Sequence, residues 1–291
     1  MIADLRDRWG DVGLWGGFLD RLPAAEAVAA VRAIEASGIG TIWLQEYSGV
    51  DPFARAMLYL SATDHLVVAI GVAVIHFRDP EAMVAVASTV EDAFPGRFVL
   101  GLGVSHRDLV EARGHHYGSP VASLEGYLAD MERCRGRRRM PPTLLGALGP
   151  RMTALAARRA DGVHSYFSPV AHTGAARTRV GPDGLVVPSQ MVCVDAGAGW
   201  RDQVRPYLGL CLGMANYTAN LVRHGLSQVD VAEVSDRLID ALVVPADSGA
   251  VQERLAAQRA AGADQVVLQL VPPPPAPAVL ERLPEVVYFT Q

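Results

Sequence analysis

The sequence predicts one α/β domain over residues 1–291, a (β/α)8 TIM barrel with a helical insertion between the seventh and eighth strands. Three observations carry that prediction. Short β-favouring runs alternate with longer helical patterns along the chain, as the βαβ units of a parallel sheet require. Several runs, above all the one from Leu66 to Val74, are apolar without alternation, which marks strands covered on both faces. The length of 291 residues is ordinary for a single barrel. A doubly wound open sheet would share the alternation, but no Gly-rich dinucleotide fingerprint opens a helix.

Each element follows in turn. Val12-Gly13-Leu14-Trp15 reads as the first strand. Pro23 opens a helix through Glu26, Val31 and Ile34, stopped by Ser37-Gly38. Thr41-Ile42-Trp43-Leu44 is the second strand and ends in Gln45-Glu46; after Asp51-Pro52 a helical pattern carries Phe53, Met57 and Leu60. Leu66 to Val74 is the third strand, and Asp79-Pro80 starts a helix through Met83, Val86 and Val90. The stretch from Arg97 to His106 holds the fourth strand, a β-favouring run behind Gly96-Arg97 with Ser105 and His106 at its C-terminal end. A helix from about Ser123 to Cys134 leads into the basic run Arg135 to Arg139, which suits a solvated loop, with phosphate binding as the alternative. Thr143-Leu144-Leu145, Gly162 to Ser165, Val186 to Val194 and Gln265 to Val271 complete the eight strands. The long segment between the last two reads as mostly helical, and a short helix follows Pro272 to Pro275.

Composition narrows the function. Half the residues are hydrophobic and 20% are charged, so a large core is available. A net charge of −5 supplies no basic surface for nucleic acid. The three cysteines, Cys134, Cys193 and Cys211, are too far apart and odd in number for a disulfide framework or a zinc cluster. The first residues lack the apolar core of a signal peptide, and no apolar run reaches the roughly 18 residues of a membrane span. The expectation is a cytoplasmic globular chain that acts on a small molecule, with neither nucleic acid nor membrane as partner and a homodimer as one admissible assembly.

Three strand ends could carry chemistry, because parallel barrels keep their active sites there. The first is Gly71-Val72-Ala73-Val74, which also suits plain packing of a buried strand. The second is Gly103-Val104-Ser105-His106, where glycines admit the close approach of a ligand or another backbone. The third is Gly146-Ala147-Leu148-Gly149-Pro150-Arg151. Pro150 suits a first helical position, free backbone N–H groups would follow it, and helix N-termini bind anions. An ordinary glycine turn would look the same. His115-His116 beside His106 lacks a carboxylate or cysteine at ligand spacing, so no metal site is assigned.

These segments, taken together, resemble the luciferase-like monooxygenase superfamily, and within it the actinobacterial oxidoreductases that use the deazaflavin coenzyme F420. The resemblance runs through Gly40 to Glu46, Ile70 to Pro80, Gly96 to Gly103, Pro142 to Pro150 and Ala160 to His164. It continues through Asn216-Tyr217, Asn220-Leu221, Ser235 to Leu242 and Ala261 to Val266. It implies a barrel holding the deazaflavin at the strands' C-terminal ends. A bulge with a non-proline cis peptide at Ala73 and Val74 would back the ring, with Gly103 and Ser105 beside it. The phosphate cradle would be Gly146, Gly149, Pro150 and Arg151, completed by Ser165 and Tyr166. Related sugar-phosphate dehydrogenases carry an Asp-His pair where this chain has Glu46-Tyr47, and a carboxylate where His106 stands. A sugar-phosphate substrate is therefore not carried over.

The resulting expectation is hydride transfer between coenzyme F420 and a small organic substrate. His106 is the candidate acid–base residue, since imidazole titrates near neutrality. Glu46 would orient it, pair with it, or touch the cofactor. The alternatives are an FMN-dependent monooxygenase on the same fold and a cofactor-binding protein without turnover.

Overall fold

The structure, a computed structural model, describes residues 2–47, 49–194 and 197–282. Eight parallel strands close into a barrel. They are β1 (Val12–Trp15), β2 (Thr41–Leu44), β3 (Val67–Val74), β4 (Phe98–Gly103), β5 (Thr143–Gly146), β6 (Gly162–Ser165), β7 (Leu185–Cys193) and, after the short β8 (Val243–Pro245), β9 (Val266–Val271). Neighbours pair in sequence order from β1 to β7, and β9 closes the ring by pairing with β7 and β1. Helices flank the strands, as the parallel connections demand.

β8 is an element that sequence patterning does not reveal. The lower part of β7, Leu185 to Pro188, pairs with β6, which is only four residues long. Further up, Met191 to Cys193 would leave backbone groups unpaired on that side, and Val243 to Pro245 supplies the partner. Three residues directly after the helix Asp236–Leu242 carry too little periodicity to read as a strand. Between β7 and β8 lie the helices Trp200–Leu212, Ala215–Arg223, Gln228–Glu233 and Asp236–Leu242; Ser248–Ala260 then leads to β9.

The N-terminal helix Ile2–Trp9 closes the bottom of the barrel, which the sequence pattern also leaves unassigned. Leu5 and Trp9 join Trp43, Val67, Val99, Leu144 and Val187 in the barrel's inner core. Thr41 Oγ1 and Gln265 Nε2, at the N-terminal ends of β2 and β9, both donate to the Trp9 carbonyl, at 2.7 and 2.9 Å.

The opposite end is shaped by β3. Its register against β4 slips between Ile70 and Ala73, and the Gly71–Val72 peptide is cis. The bulge thus lies ahead of the expected Ala73 and Val74. Ala73 is buried in the layer between strands and helices, where it fills space behind the bulge. The glycines of β4 exist to receive this bulge. A Cβ on Gly101 would stand 2.1 Å from the Ile70 carbonyl oxygen, and one on Gly103 would stand 2.4 Å from Val72 Cγ2. Backbone cannot retreat as a side chain can, so Gly101→Ala should destabilise the fold by about 3 kcal/mol, the upper part of the range for overpacking. Urea unfolding measures this directly. A loss below about 0.5 kcal/mol would mean that the bulge moves freely.

Candidate active site

A cavity of about 1070 Å³ opens where the strands end. Ten of the twelve residues singled out from sequence border it: Glu46, Val74, Gly103, Ser105, His106, Gly146, Gly149, Pro150, Arg151 and Tyr166. Ala73 and Ser165 do not. Ser165 is buried, and its hydroxyl accepts from Ser168 Oγ at 3.2 Å, so it supports the wall from behind.

His106 owes its position to Ser105. That residue takes a left-handed φ of 59°, which turns the chain sharply at the end of β4. His106 then precedes the helix Arg107–Glu111, and its carbonyl starts the first turn by accepting from Val110. Its ring meets Tyr217 edge-on at 5.2 Å and is hydrogen-bonded to Asn216. Burial lowers its pKa below the usual histidine value, and the Asn216 bond and Asp108 oppose that shift. The imidazole is therefore neutral near pH 7, with a donor and an acceptor nitrogen.

Glu46 does not pair with His106. Its carboxylate accepts the Val74 N–H at 2.7 Å and forms an ion pair with Arg78, which also binds Asp51. The Arg78 guanidinium lies 4.7 Å over the Phe53 ring. Glu46 thus ties the end of β2 to the end of β3 just past the bulge. A carboxylate so engaged is a positioning group, not a free acid or base.

The turn after β5 presents an uncapped helix N-terminus. Gly149 precedes the helix Pro150–Arg159 with no side chain capping it, and Pro150 has no N–H. The N–H groups that follow are left for a ligand. A Cβ on Gly149 would meet nothing within 4 Å, so the glycine leaves open space. Arg151 borders the same cavity, as do Arg21 and Arg223, which sequence reasoning missed. Buried His172 supports the turn through a hydrogen bond to the Ala147 backbone and packs edge-on against His224 at 5.3 Å.

His164 was also missed as a site residue, though it lies in a matched segment. It is fully enclosed between Trp43, with ring centroids 4.5 Å apart, and Trp15, at 6.1 Å. Nδ1 lies 3.0 Å from the Val187 carbonyl oxygen and must donate to it. Nε2 is then an acceptor with no partner among the described residues. A Cβ on Gly71 would come within 3.0 Å of it. The one available sequence signal is a histidine within an otherwise apolar strand.

Burial pushes the pKa values of His164 and His172 down to about 4. Unfolded histidine titrates near 6.5, so protons favour the unfolded chain in between. The stability tied to the neutral rings is complete above pH 6.5 and is lost as pH falls towards 4, roughly 3 kcal/mol per ring. Urea midpoints at pH 7.5, 5.5 and 4.5 should fall in that order. A flat series would mean that the rings are accessible to protons in the folded state.

A closed parallel barrel whose strand ends open into a largely apolar cavity, bordered by an uncapped helix N-terminus and by His106, has the layout of a barrel enzyme. Residues 16–182 match the luciferase-like monooxygenase family, and the chain belongs to that family of oxidoreductases. Rv3520c of Mycobacterium tuberculosis, provisionally named a coenzyme F420-dependent oxidoreductase, is 25% identical over 327 aligned positions. The match covers 88% of this chain and 94% of that protein. Among solved structures, an F420-dependent secondary alcohol dehydrogenase holding an F420–acetone adduct superposes with a TM-score of 0.74 at 12% identity, covering 97% of this chain and 99% of that one. The F420-dependent tetrahydromethanopterin reductase of Methanopyrus kandleri gives 0.72 at 14%, with the same coverage. The FMN-bound oxygenating constituent of 3,6-diketocamphane monooxygenase from Pseudomonas putida gives 0.66 at 13%, covering 96% and 97%. At these identities the structural likeness is one of fold.

The residues present fit a planar, phosphate-bearing cofactor. The open cradle at Gly149 suits the phosphate, and the unpartnered Nε2 of His164 and Oε1 of Gln269 are buried polar atoms beside the cavity.

Proposed function

We propose that this protein is an F420-dependent oxidoreductase that moves a hydride between the deazaflavin and a small organic substrate. The observation that carries the reading is one cavity with an uncapped, arginine-flanked helix N-terminus on one wall and neutral His106 on another. The name of the Mycobacterium relative points the same way. When bound, the deazaflavin supplies or takes up the hydride at C5.

The chain's own residues do the rest. Gly149 and the helix behind Pro150 would hold the phosphate, with Arg151 adding a positive charge. Val74, Gly103, Gly146 and the Gly71–Val72 bulge shape the wall against the ring. Asn216 holds one nitrogen of His106, and the other is left to take a proton from the substrate or return it. Glu46 and Arg78 keep the rim in register.

Arg21 and Arg223 add to Arg151, and this favours the deazaflavin, with its anionic oligoglutamate tail, over FMN. Titrating the purified protein with each cofactor and following cofactor fluorescence tests the choice. Saturable quenching of F420 at lower concentration than FMN is expected. Binding of FMN alone would turn the reading into a flavin monooxygenase, and binding of neither would remove it.

A further inference from the structure

Tyr166, Tyr207, Cys211 and Gln269 line a wall of the cavity together with Tyr217, whose ring meets His106 edge-on. Tyr166 follows β6, Gln269 lies in β9, and the others come from the helices Trp200–Leu212 and Ala215–Arg223. The tyrosines and Cys211 sit deep in the fold yet keep accessible surface, and all of them border the cavity.

We infer that this wall is the substrate subsite and that it takes the oxygen of an uncharged, largely apolar ketone or alcohol, with the Tyr207–Tyr166 hydroxyl pair as its anchor. The hydrogen-bond inventory carries the inference. The two hydroxyls lie 2.7 Å apart and share one hydrogen bond, while Gln269 Nε2 donates to Tyr207 at 3.0 Å. Two O–H hydrogens serve one bond between them, so one hydroxyl hydrogen remains to donate. The Cys211 thiol beside the pair is a weak acceptor. A carbonyl or hydroxyl oxygen of a substrate is a far better one.

Charge settles the class. Burial raises the pKa values of Tyr166 and Tyr207 and pushes Cys211 up to about 11, so the wall is uncharged near pH 7. A carboxylate or phosphate placed here would lose its water without meeting a cation. Arg21 and Arg151 stand on other elements, and Arg223 lies at the far end of its helix. Leu210 and Met214 border the same cavity and offer apolar surface to the body of such a substrate.

Calling this the substrate subsite rests on the oxidoreductase reading; the chemistry of what it binds does not. The test is a calorimetric titration of the purified protein with three probes of similar shape. These are acetophenone, α-methylstyrene, in which C=CH2 replaces C=O, and benzoate. Acetophenone should bind more tightly than benzoate. Tyr207→Phe should weaken acetophenone about three- to tenfold, the worth of one neutral hydrogen bond, and α-methylstyrene less than twofold. Tyr166→Phe serves as the second variant, and thermal melting checks that each variant folds. The inference is overturned if acetophenone shows no saturation, if benzoate binds as tightly, or if both variants weaken acetophenone and α-methylstyrene alike. A chain that binds acetophenone as expected but neither cofactor keeps the subsite and loses the oxidoreductase reading.

Discussion

His106→Ala should lower turnover by about 10²–10⁴-fold, the usual worth of general acid–base catalysis. The ring sits at the end of β4, held by Asn216 and the edge of Tyr217, and takes no part in the turn from Gly146 to Arg151. Cofactor affinity should therefore change less than threefold. His106→Gln keeps size and a hydrogen bond to Asn216 but cannot exchange a proton near neutrality, so it should be nearly as slow. The pH profile separates proton transfer from mere contact. Burial lowers the His106 pKa, so the wild-type rate should hold through pH 6.5 and decline only below it. The glutamine variant should lack that inflection. Full activity in His106→Gln would reduce His106 to a positioning residue. With Glu46 tied to Arg78 and the Val74 N–H, the Tyr207–Tyr166 pair would then be the next proton donor to test.

Gly149→Asp should weaken binding of either cofactor about a hundredfold without harming the fold. Gly149 has φ −78° and ψ 150°, an extended conformation open to any residue, and apart from its chain neighbours no described residue comes within 4 Å of where its Cβ would be. An aspartate there is a favourable N-cap, so thermal stability should hold or rise slightly. The same carboxylate would occupy the N–H groups meant for the phosphate and repel it, at a cost of roughly 3 kcal/mol for charges some 5 Å apart in a partly screened site. Gly149→Ala fills the same space without charge and should cost less than tenfold. Unchanged affinity in the aspartate variant would place the phosphate elsewhere. A drop in melting temperature matching the affinity loss would instead point to damage to the helix.

The barrel was legible because its signals are local. A buried parallel strand needs a continuous apolar run, and a helix needs Pro or Asp at its start; Asp51-Pro52 and Asp79-Pro80 show both devices, each aspartate capping the next turn. The turn from Gly146 to Arg151 was legible for the same reason, since glycine, proline and arginine stand within six residues. Where the pattern spoke of a neighbour, it could not name it. The glycines of β4 read as admitting a ligand or another backbone, and it is Ile70 and Val72 of the adjoining strand that come close, while Gly103 also borders the cavity.

By itself, then, the sequence determined the eight barrel strands, the position of the turn from Gly146 to Arg151 and the place of His106 beyond β4. The tertiary structure alone decided the bulge at Gly71–Val72, the partner strand β8, the engagement of Glu46 with Arg78 and the enclosure of His164 between two tryptophans. It also brought Tyr166, Tyr207 and Gln269 together across 41 and 62 residues of chain. The reason is physical. Strand and cap preferences act between residues a few positions apart, whereas a cavity wall is made of side chains whose positions are set by barrel closure and no periodicity records.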